Sequence, residues 1–295
     1  MTQQIFRYYW FTWEDNVPRG TTSMKIKDHF LSGEFFELVK NNQYDYYVTK
    51  PGLKFKQLQK YYDTESYVSH QEKSNDLKSF IYNLVKKFMI RQKYKWIAKF
   101  VDNGNWLDFG AGTGEFLTYL PNDNWDKVAF EPNLNAIERI KNKKIKYISD
   151  YQYNESYFDV ITAFHAIEHV NNIDNWFDFI KRISKKDTIV AVAVPNYKSY
   201  DAKYYKKFWA AYDVPRHQYH FSKKSIYKLF IENGFQLVGE KPLPFDAYYI
   251  SMISEKYKSQ SNLLNALRIG FLSNQKANKT KEYSSNLFIF SRLQR

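Results

Sequence analysis

The sequence predicts an α/β fold built on a doubly wound sheet. Three observations lead there: short β-rich runs alternate with helical patterns from about Trp106 onward, a glycine-rich turn joins the first of those strands to a helix, and an acid ends the second strand.

Trp106 to Phe109 reads as the first strand of the alternation, and Glu115 to Leu120 opens a helix. Lys127 to Phe130 is the second strand. Pro132, with its fixed φ, suits the first turn of a helix running to about Lys141. Lys143 to Ser149 and Phe158 to Ala163 follow as third and fourth strands. Asn172 to Lys185 is an amphipathic helix, with Ile173, Trp176, Phe177, Ile180 and Ile183 at helical spacing, and Thr188 to Val194 is a buried fifth strand. After Pro195 a polar, aromatic stretch to about Phe221 interrupts the pattern. It resumes with a helix, Lys223 to Asn233, which Gly234 ends as a left-handed cap, and a strand, Phe235 to Glu240. Ala247 to Ala277 reads as helical and Asn286 to Arg292 as the final strand. The domain so defined runs from about residue 90 to 295, with an insertion at about 196–222. Residues 1–89 are Tyr-rich, contain one helix expectation at Leu77 to Phe88, and read as an N-terminal segment or small subdomain.

With 295 residues, 44% of them hydrophobic, the chain can bury a sizeable core. It has no cysteine, which excludes disulfides, thiolate metal sites and a cysteine nucleophile, and agrees with a reducing, cytoplasmic setting. Met1 to Gly20 lacks the basic start, apolar stretch and cleavage site of a signal peptide, and no apolar run approaches the length of a membrane span. The formal charge of +13 admits an anionic partner such as nucleic acid. The lysines, however, are interleaved with acids along the whole chain, as on a solvated surface, and form no single basic stripe.

The chemistry concentrates at Asp108-Phe109-Gly110-Ala111-Gly112-Thr113-Gly114. Three glycines at alternate positions after a strand let the backbone turn sharply and approach a ligand without an intruding Cβ. A lone turn of this kind also serves as a plain strand-to-helix connection. The second strand adds the discriminating feature, because Glu131 at its tip stands roughly 20 residues after the glycines, where an acid accepts hydrogen bonds from ribose hydroxyls. The G-x-G-x-G spacing differs from the G-x-G-x-x-G of dinucleotide dehydrogenases.

These residues resemble class I S-adenosylmethionine-dependent methyltransferases of the methyltransferase 11/23 type. Asp108 to Gly114 looks like their first motif, Glu131 like their ribose-binding acid, and Phe158-Asp159-Val160-Ile161 with His165-Ala166-Ile167-Glu168-His169-Val170 like their fourth-strand block. The match covers roughly Trp106 to Gly239. It implies a Rossmann-like sheet of seven strands, the last antiparallel, and S-adenosyl-L-methionine as cofactor. By the resemblance, Asp108 positions the amino-acid part of the cofactor or holds the turn, Gly110, Ala111, Gly112 and Gly114 line it, and Pro132 follows the ribose acid. Asp150 sits where the family reads the adenine, although the loop Tyr151 to Tyr157 lacks the proline-containing pattern common there. Phe164 and His165 would face the sulfonium centre.

A second block, Tyr212 to Ser222, resembles the proline-arginine-histidine segment that many members carry near the acceptor. His217 or His220 is a candidate base for a hydroxyl acceptor, and Arg216 a candidate anchor for a substrate anion. All three could equally pin the insertion onto the domain. Tyr204, Tyr205, Phe208, Trp209 and Tyr212 read as the core of a lid or as a stacking wall. Leu263, Leu264, Leu267 and Phe271 read as a packing face. The i, i+4 histidines His165 and His169 resemble a metal helix, but no third ligand follows at suitable spacing, so no metal is expected.

The resulting expectation is in-line methyl transfer to a small-molecule or sugar-containing acceptor, with an oxygen as the nucleophile. The alternatives are an RNA methyltransferase, a non-catalytic nucleoside-binding regulator and a nicotinamide-dependent dehydrogenase. Sequence leaves the acceptor and the oligomeric state open.

Overall fold

A computed structural model describes residues 22–53, 55–62, 77–151, 153–259 and 261–293. The signal-peptide reading of Met1 to Gly20 lies outside them.

The long α2 (Leu77–Ile97) leads into the alternation β4 (Gly104–Phe109), α3 (Glu115–Tyr119), β5 (Trp125–Phe130), α4 (Leu134–Asn142), β6 (Lys146–Ile148), β7 (Phe158–Phe164), α5 (Ile173–Ile183) and β8 (Ser184–Pro195). After the insertion come α7 (Lys223–Glu232), β10 (Phe235–Pro242), α8 (Pro244–Tyr257), α9 (Leu263–Thr280) and β11 (Ser285–Arg292). Among the described residues these strands form a seven-stranded sheet in the order β10-β11-β8-β7-β4-β5-β6. Strands β8, β7, β4, β5 and β6 run parallel, and β11 pairs antiparallel to both β8 and β10. The doubly wound sheet with an antiparallel last strand is therefore as expected. Strand order reverses between β4 and β7, where ligands of such sheets bind at the carboxyl ends.

The inner strands are apolar on both faces because helices cover both. Ile189 to Val194 of β8 are all buried. On one face α5 lays Ile173, Trp176, Phe177, Ile180 and Ile183 against Phe109, Phe130 and Phe230. On the other, Ile97, Phe116, Leu117 and Ile140 surround Trp106. Each such side chain stabilises the fold by roughly 1.5–3 kcal/mol through burial.

The N-terminal residues join the insertion. The meander β1 (Ser23–Lys27), β2 (Phe35–Asn41) and β3 (Tyr46–Lys50) is completed by β9 (Tyr219–His220), which lies inside the insertion, with Tyr47 opposite His220 and Val48 opposite Tyr219. A short α1 (Phe55–Gln59) follows the meander, and α6 (Tyr200–Tyr205) begins the insertion. Tyr205, Trp209 and Tyr212 pack with Phe36, Leu38 and Tyr47, so the lid aromatics are mainly core, with Tyr204 left exposed. Arg216 ties the two parts together. It is 1% exposed, and its guanidinium donates to Asp28 Oδ1 at 2.9 Å and to Asp213 Oδ1 at 2.7 and 2.9 Å. Asp28 in turn accepts from the backbone N–H groups of Phe30, Leu31 and Ser32, which closes the β1–β2 turn.

Several boundaries differ from the sequence expectation. The helix expected at Leu77 to Phe88 continues to Ile97, through the boundary placed at 89/90. Pro132 lies just before the helix and Asn133 caps it, accepting from the N–H groups of Asn135 and Ala136. The third strand shrinks to Lys146–Ile148, and the fifth begins at Ser184. The single helix expected over Ala247 to Ala277 is two, because Ser259 and Ser261 turn the chain with φ of 60° and 41° and Asn262 caps the second. The two helices cross closely at Gly270, where a Cβ would stand 2.6 Å from Tyr248 Cδ1. The face of α9 carrying Leu263, Leu264, Leu267 and Phe271 is exposed, and Ala266, Ile269, Gly270 and Ser273 make the packing face instead. No helix among the described residues is long and apolar enough to cross a membrane.

Removing one partner of a buried ion pair leaves an uncompensated charge, so Arg216→Ala is expected to lower unfolding stability by roughly 3–5 kcal/mol in urea titrations. A loss below about 1 kcal/mol would show that the pair does not hold the two parts together.

Candidate methyltransferase active site

Strand β4 ends in Asp108 and Phe109 and turns at once through Gly110, Gly112 and Gly114, whose φ values are 73°, 53° and 73°. Those conformations favour glycine. Gly110 also has no room for a side chain, because its Cβ would lie 2.5 Å from Ala166 Cβ, whereas nothing lies within 4 Å of a Cβ on Gly112. The turn is thus pressed against the end of β7 on one side and open on the other.

Glu131, at the tip of β5, is buried. Its Oε2 accepts from Gly112 N–H at 2.8 Å and its Oε1 from Asn133 N–H at 2.9 Å. Each oxygen keeps a second lone pair, so the carboxylate braces the turn and can still accept from a ribose hydroxyl. Burial raises its pKa, and the two backbone N–H groups oppose that rise. Asp108 accepts from Thr162 Oγ1 at 2.7 Å, and burial pushes its pKa up to about 7 against the opposing pull of Thr162 and Lys93. Ala111 is half-buried, and Pro132 and Asp150 are exposed, Asp150 standing just after β6. The open glycine turn and the buried acid with spare acceptor capacity suit the aminoacyl and ribose parts of an adenosyl cofactor.

Beyond Phe164 the chain turns at His165, in the left-handed region with φ 52°, into a short 3-10 turn, Ile167–His169. His165 Nε2 stands 3.2 Å from Asp246 Oδ2 and Nδ1 3.5 Å from Glu168 Oε1. Burial alone would lower its pKa, but the two acids outweigh burial and raise it to about 9. Lys93 of α2 lies 4.3 Å over the Phe164 ring, its pKa lowered by burial. Neither Lys93 nor Asp246 was singled out from sequence, since an isolated lysine or aspartate on a helix carries no motif.

The insertion delivers its histidines to the same place. Gln218 N–H donates to the Glu168 carbonyl at 2.7 Å, and the rings of His169 and His217 meet edge to face with centroids 4.6 Å apart. Glu168 is 1% exposed, and neither of its carboxylate oxygens has a hydrogen-bond partner. Burial above all, with its interaction with His217, holds His169 neutral, its pKa lowered to about 4.

The acceptor-side expectations divide. Arg216 is spent on Asp28 and Asp213, which corrects its role as a substrate anchor, because its guanidinium is buried and its charge is already matched by two carboxylates. His220 is also corrected as a candidate base. Thr49 Oγ1 gives its proton to the His217 carbonyl at 2.6 Å, so His220 Nε2 donates to that hydroxyl at 2.9 Å and its basic Nδ1 is buried without a partner. Its pKa falls well below the ordinary value through burial and the charge of His217. His217 remains at the pocket. The His165–His169 pair does not form a cluster; donor atoms of Glu168, His169 and His217 lie within 4.8 Å of one another instead.

The comparisons with known proteins agree with this geometry. Residues 84–240 match a family profile described as a methyltransferase domain, and the chain belongs to that family. Its cofactor is S-adenosyl-L-methionine, and it is a methyltransferase of class I. Phosphoethanolamine N-methyltransferase 2 of Haemonchus contortus, in complex with S-adenosyl-L-methionine, is 15% identical over 84% of this chain and 62% of that one, with a TM-score of 0.52. A provisionally named sarcosine dimethylglycine methyltransferase from Galdieria sulphuraria is 14% identical over 71% of this chain and 86% of that one, with a TM-score of 0.50. At these identities the likeness is one of fold. No curated protein matches the sequence.

The high pKa of Asp108 has a testable sign. Its folded value of about 7 exceeds the 3.8 of an exposed carboxyl, so the folded state holds the proton longer and ionisation costs stability as pH rises between the two. Asp108→Asn is therefore expected to gain on the wild type across that interval, levelling off above neutrality at about 4 kcal/mol. Thermal unfolding as a function of pH checks it, and a difference independent of pH would contradict the assignment.

Proposed function

We propose that the enzyme methylates an oxygen of a small-molecule or sugar-containing acceptor, held between the glycine turn and the insertion. The observation carrying this reading is the contact of Gly110 with Ala166, which sets the cofactor turn directly against the segment bearing His165, Glu168 and His169. Absence of cysteine supports a cytoplasmic setting.

S-adenosylmethionine supplies an electrophilic methyl group whose departure leaves a neutral thioether. In the proposed arrangement Glu131 accepts from the ribose hydroxyls, Asp108 and the backbone of Gly110, Ala111, Gly112 and Gly114 receive the aminoacyl part, and Pro132 and Asp150 border the adenine. Phe164 and His165 bound the sulfonium side. Alignment of the acceptor oxygen with the methyl carbon accounts for most of the required rate.

His217 is the proposed base. Its Nδ1 lies 2.9 Å from the Ala211 carbonyl, which can only accept, so Nδ1 carries the proton and Nε2 presents a lone pair. As the new C–O bond forms and the S–C bond breaks, the hydroxyl proton passes to Nε2, near the buried carboxylate of Glu168.

Calorimetry with S-adenosylhomocysteine should show saturable binding that Glu131→Ala weakens by at least roughly tenfold, since two charge-assisted hydrogen bonds are lost. His217→Ala should keep that binding and reduce turnover of hydroxylated acceptors, followed with labelled methyl, by about 10²–10⁴-fold. Methyl incorporation into RNA that falls steeply with salt, with none into small molecules, would replace this acceptor class by RNA.

A further inference from the structure

We propose that Glu168, His169 and His217 bind a divalent transition-metal ion of the zinc or iron(II) type, one carboxylate and two imidazoles, beside the cofactor turn. The site lies in the acceptor pocket proposed above, and its use in catalysis rests on that reading.

The first ground is the tautomeric state of the histidines. His169 Nδ1 lies 3.1 Å from the Arg216 carbonyl and His217 Nδ1 lies 2.9 Å from the Ala211 carbonyl. A carbonyl only accepts, so both rings carry their proton on Nδ1 and keep a bare Nε2 lone pair free to ligate. The Tyr62 hydroxyl, 3.0 Å from His169 Nδ1, adds to the hold on that ring. Backbone carbonyls holding the distal N–H of two imidazoles are the outer support that metal-ligating histidines need.

The second ground is Glu168. A carboxylate that is 1% exposed, with both oxygens lacking hydrogen bonds, is costly unless something compensates its charge. The His165 imidazole compensates part of that charge, with Nδ1 3.5 Å from Oε1, but it is shared with Asp246. Arg216 is committed to Asp28 and Asp213. A dication would compensate the charge and use both bare Nε2 atoms at once.

Geometry and donor chemistry narrow the ion. The three donor atoms lie within 4.8 Å, so small side-chain rotations bring them to about 2.1 Å from a common centre. Imidazole with one carboxylate suits zinc or iron(II) better than calcium or magnesium, which prefer all-oxygen shells. Three protein ligands leave at least one position open. Asp213 Oδ2, 4.0 Å from His217 Nε2, stands at its edge. With the ion bound, His217 Nε2 is a ligand, so the ion takes over the role given to that nitrogen as base: a hydroxyl oxygen at the open position would be more acidic and would release its proton to solvent.

The test uses the full chain freed of metal by chelator, then titrated with cobalt(II) chloride and separately with zinc chloride. Near-stoichiometric cobalt uptake with visible ligand-field absorption, displaced by zinc, is expected. His217→Ala and Glu168→Gln should weaken uptake by at least roughly 100-fold, more than the loss of a supporting residue costs, while His29→Ala leaves it unchanged. Should those variants misfold by circular dichroism, the wild type decides, because zinc should then raise its melting temperature after chelation. A folded wild type that takes up no cobalt and shows no zinc-dependent shift overturns the site. So does uptake that survives the His169→Ala/His217→Ala double variant. S-adenosylhomocysteine calorimetry and acceptor turnover on the same samples separate the two readings: metal uptake without oxygen-acceptor turnover overturns the acceptor class, and turnover indifferent to chelator and zinc overturns the metal's use in catalysis.

Discussion

The burial of the Arg216 guanidinium is the constraint on which the working half of the molecule depends. A charge taken out of water must be matched, and Asp28 from the N-terminal meander and Asp213 from the insertion match it together. The same residue's backbone carbonyl accepts from His169. One position therefore joins the two parts of the lid and orients an imidazole of the pocket beneath it.

Around that tie the four-stranded sheet gains its physical sense. The meander β1–β3 would leave the edge of β3 unpaired, and the insertion fills it with Tyr219 and His220. Ser222, just after β9, donates to the Asp45 carbonyl and caps α7. The N-terminal residues thus pack against the insertion, and the neighbouring His217 is placed by pairing between segments far apart in sequence. Below, the parallel strands perform a separate task. Their two covered faces keep β4 and β7 paired, and the glycine at position 110 permits the approach of Ala166 that brings the glycine turn against the segment bearing His165, Glu168 and His169.

Charge is distributed unequally in the pocket. The acids Asp108 and Glu131 are pushed toward the neutral form by burial, while Glu168, Asp213 and Asp246 are held ionised by nearby cationic groups despite burial. Such a division lets one small volume hold a proton-carrying acid near the cofactor turn and anionic acids near the acceptor, without mutual repulsion forcing either out.

By itself the sequence determined the doubly wound sheet, the glycine turn and the acid at the tip of the second strand. These are local facts: alternating patterns, backbone freedom at three glycines and a fixed interval set by one strand-helix-strand unit. The break at Ser259 and Ser261 escaped a reading that followed apolar spacing alone, since a single residue in the left-handed region interrupts a helix without altering that pattern. Only the tertiary structure decided the pocket. Arg216, His217 and His220 are neighbours with the same apparent promise. Which is spent on structure follows from Asp28, Thr49, Ala211 and Glu168, partners brought in by other elements. A side chain's chemistry is set by what surrounds it after folding, and spacing along the chain does not carry that information.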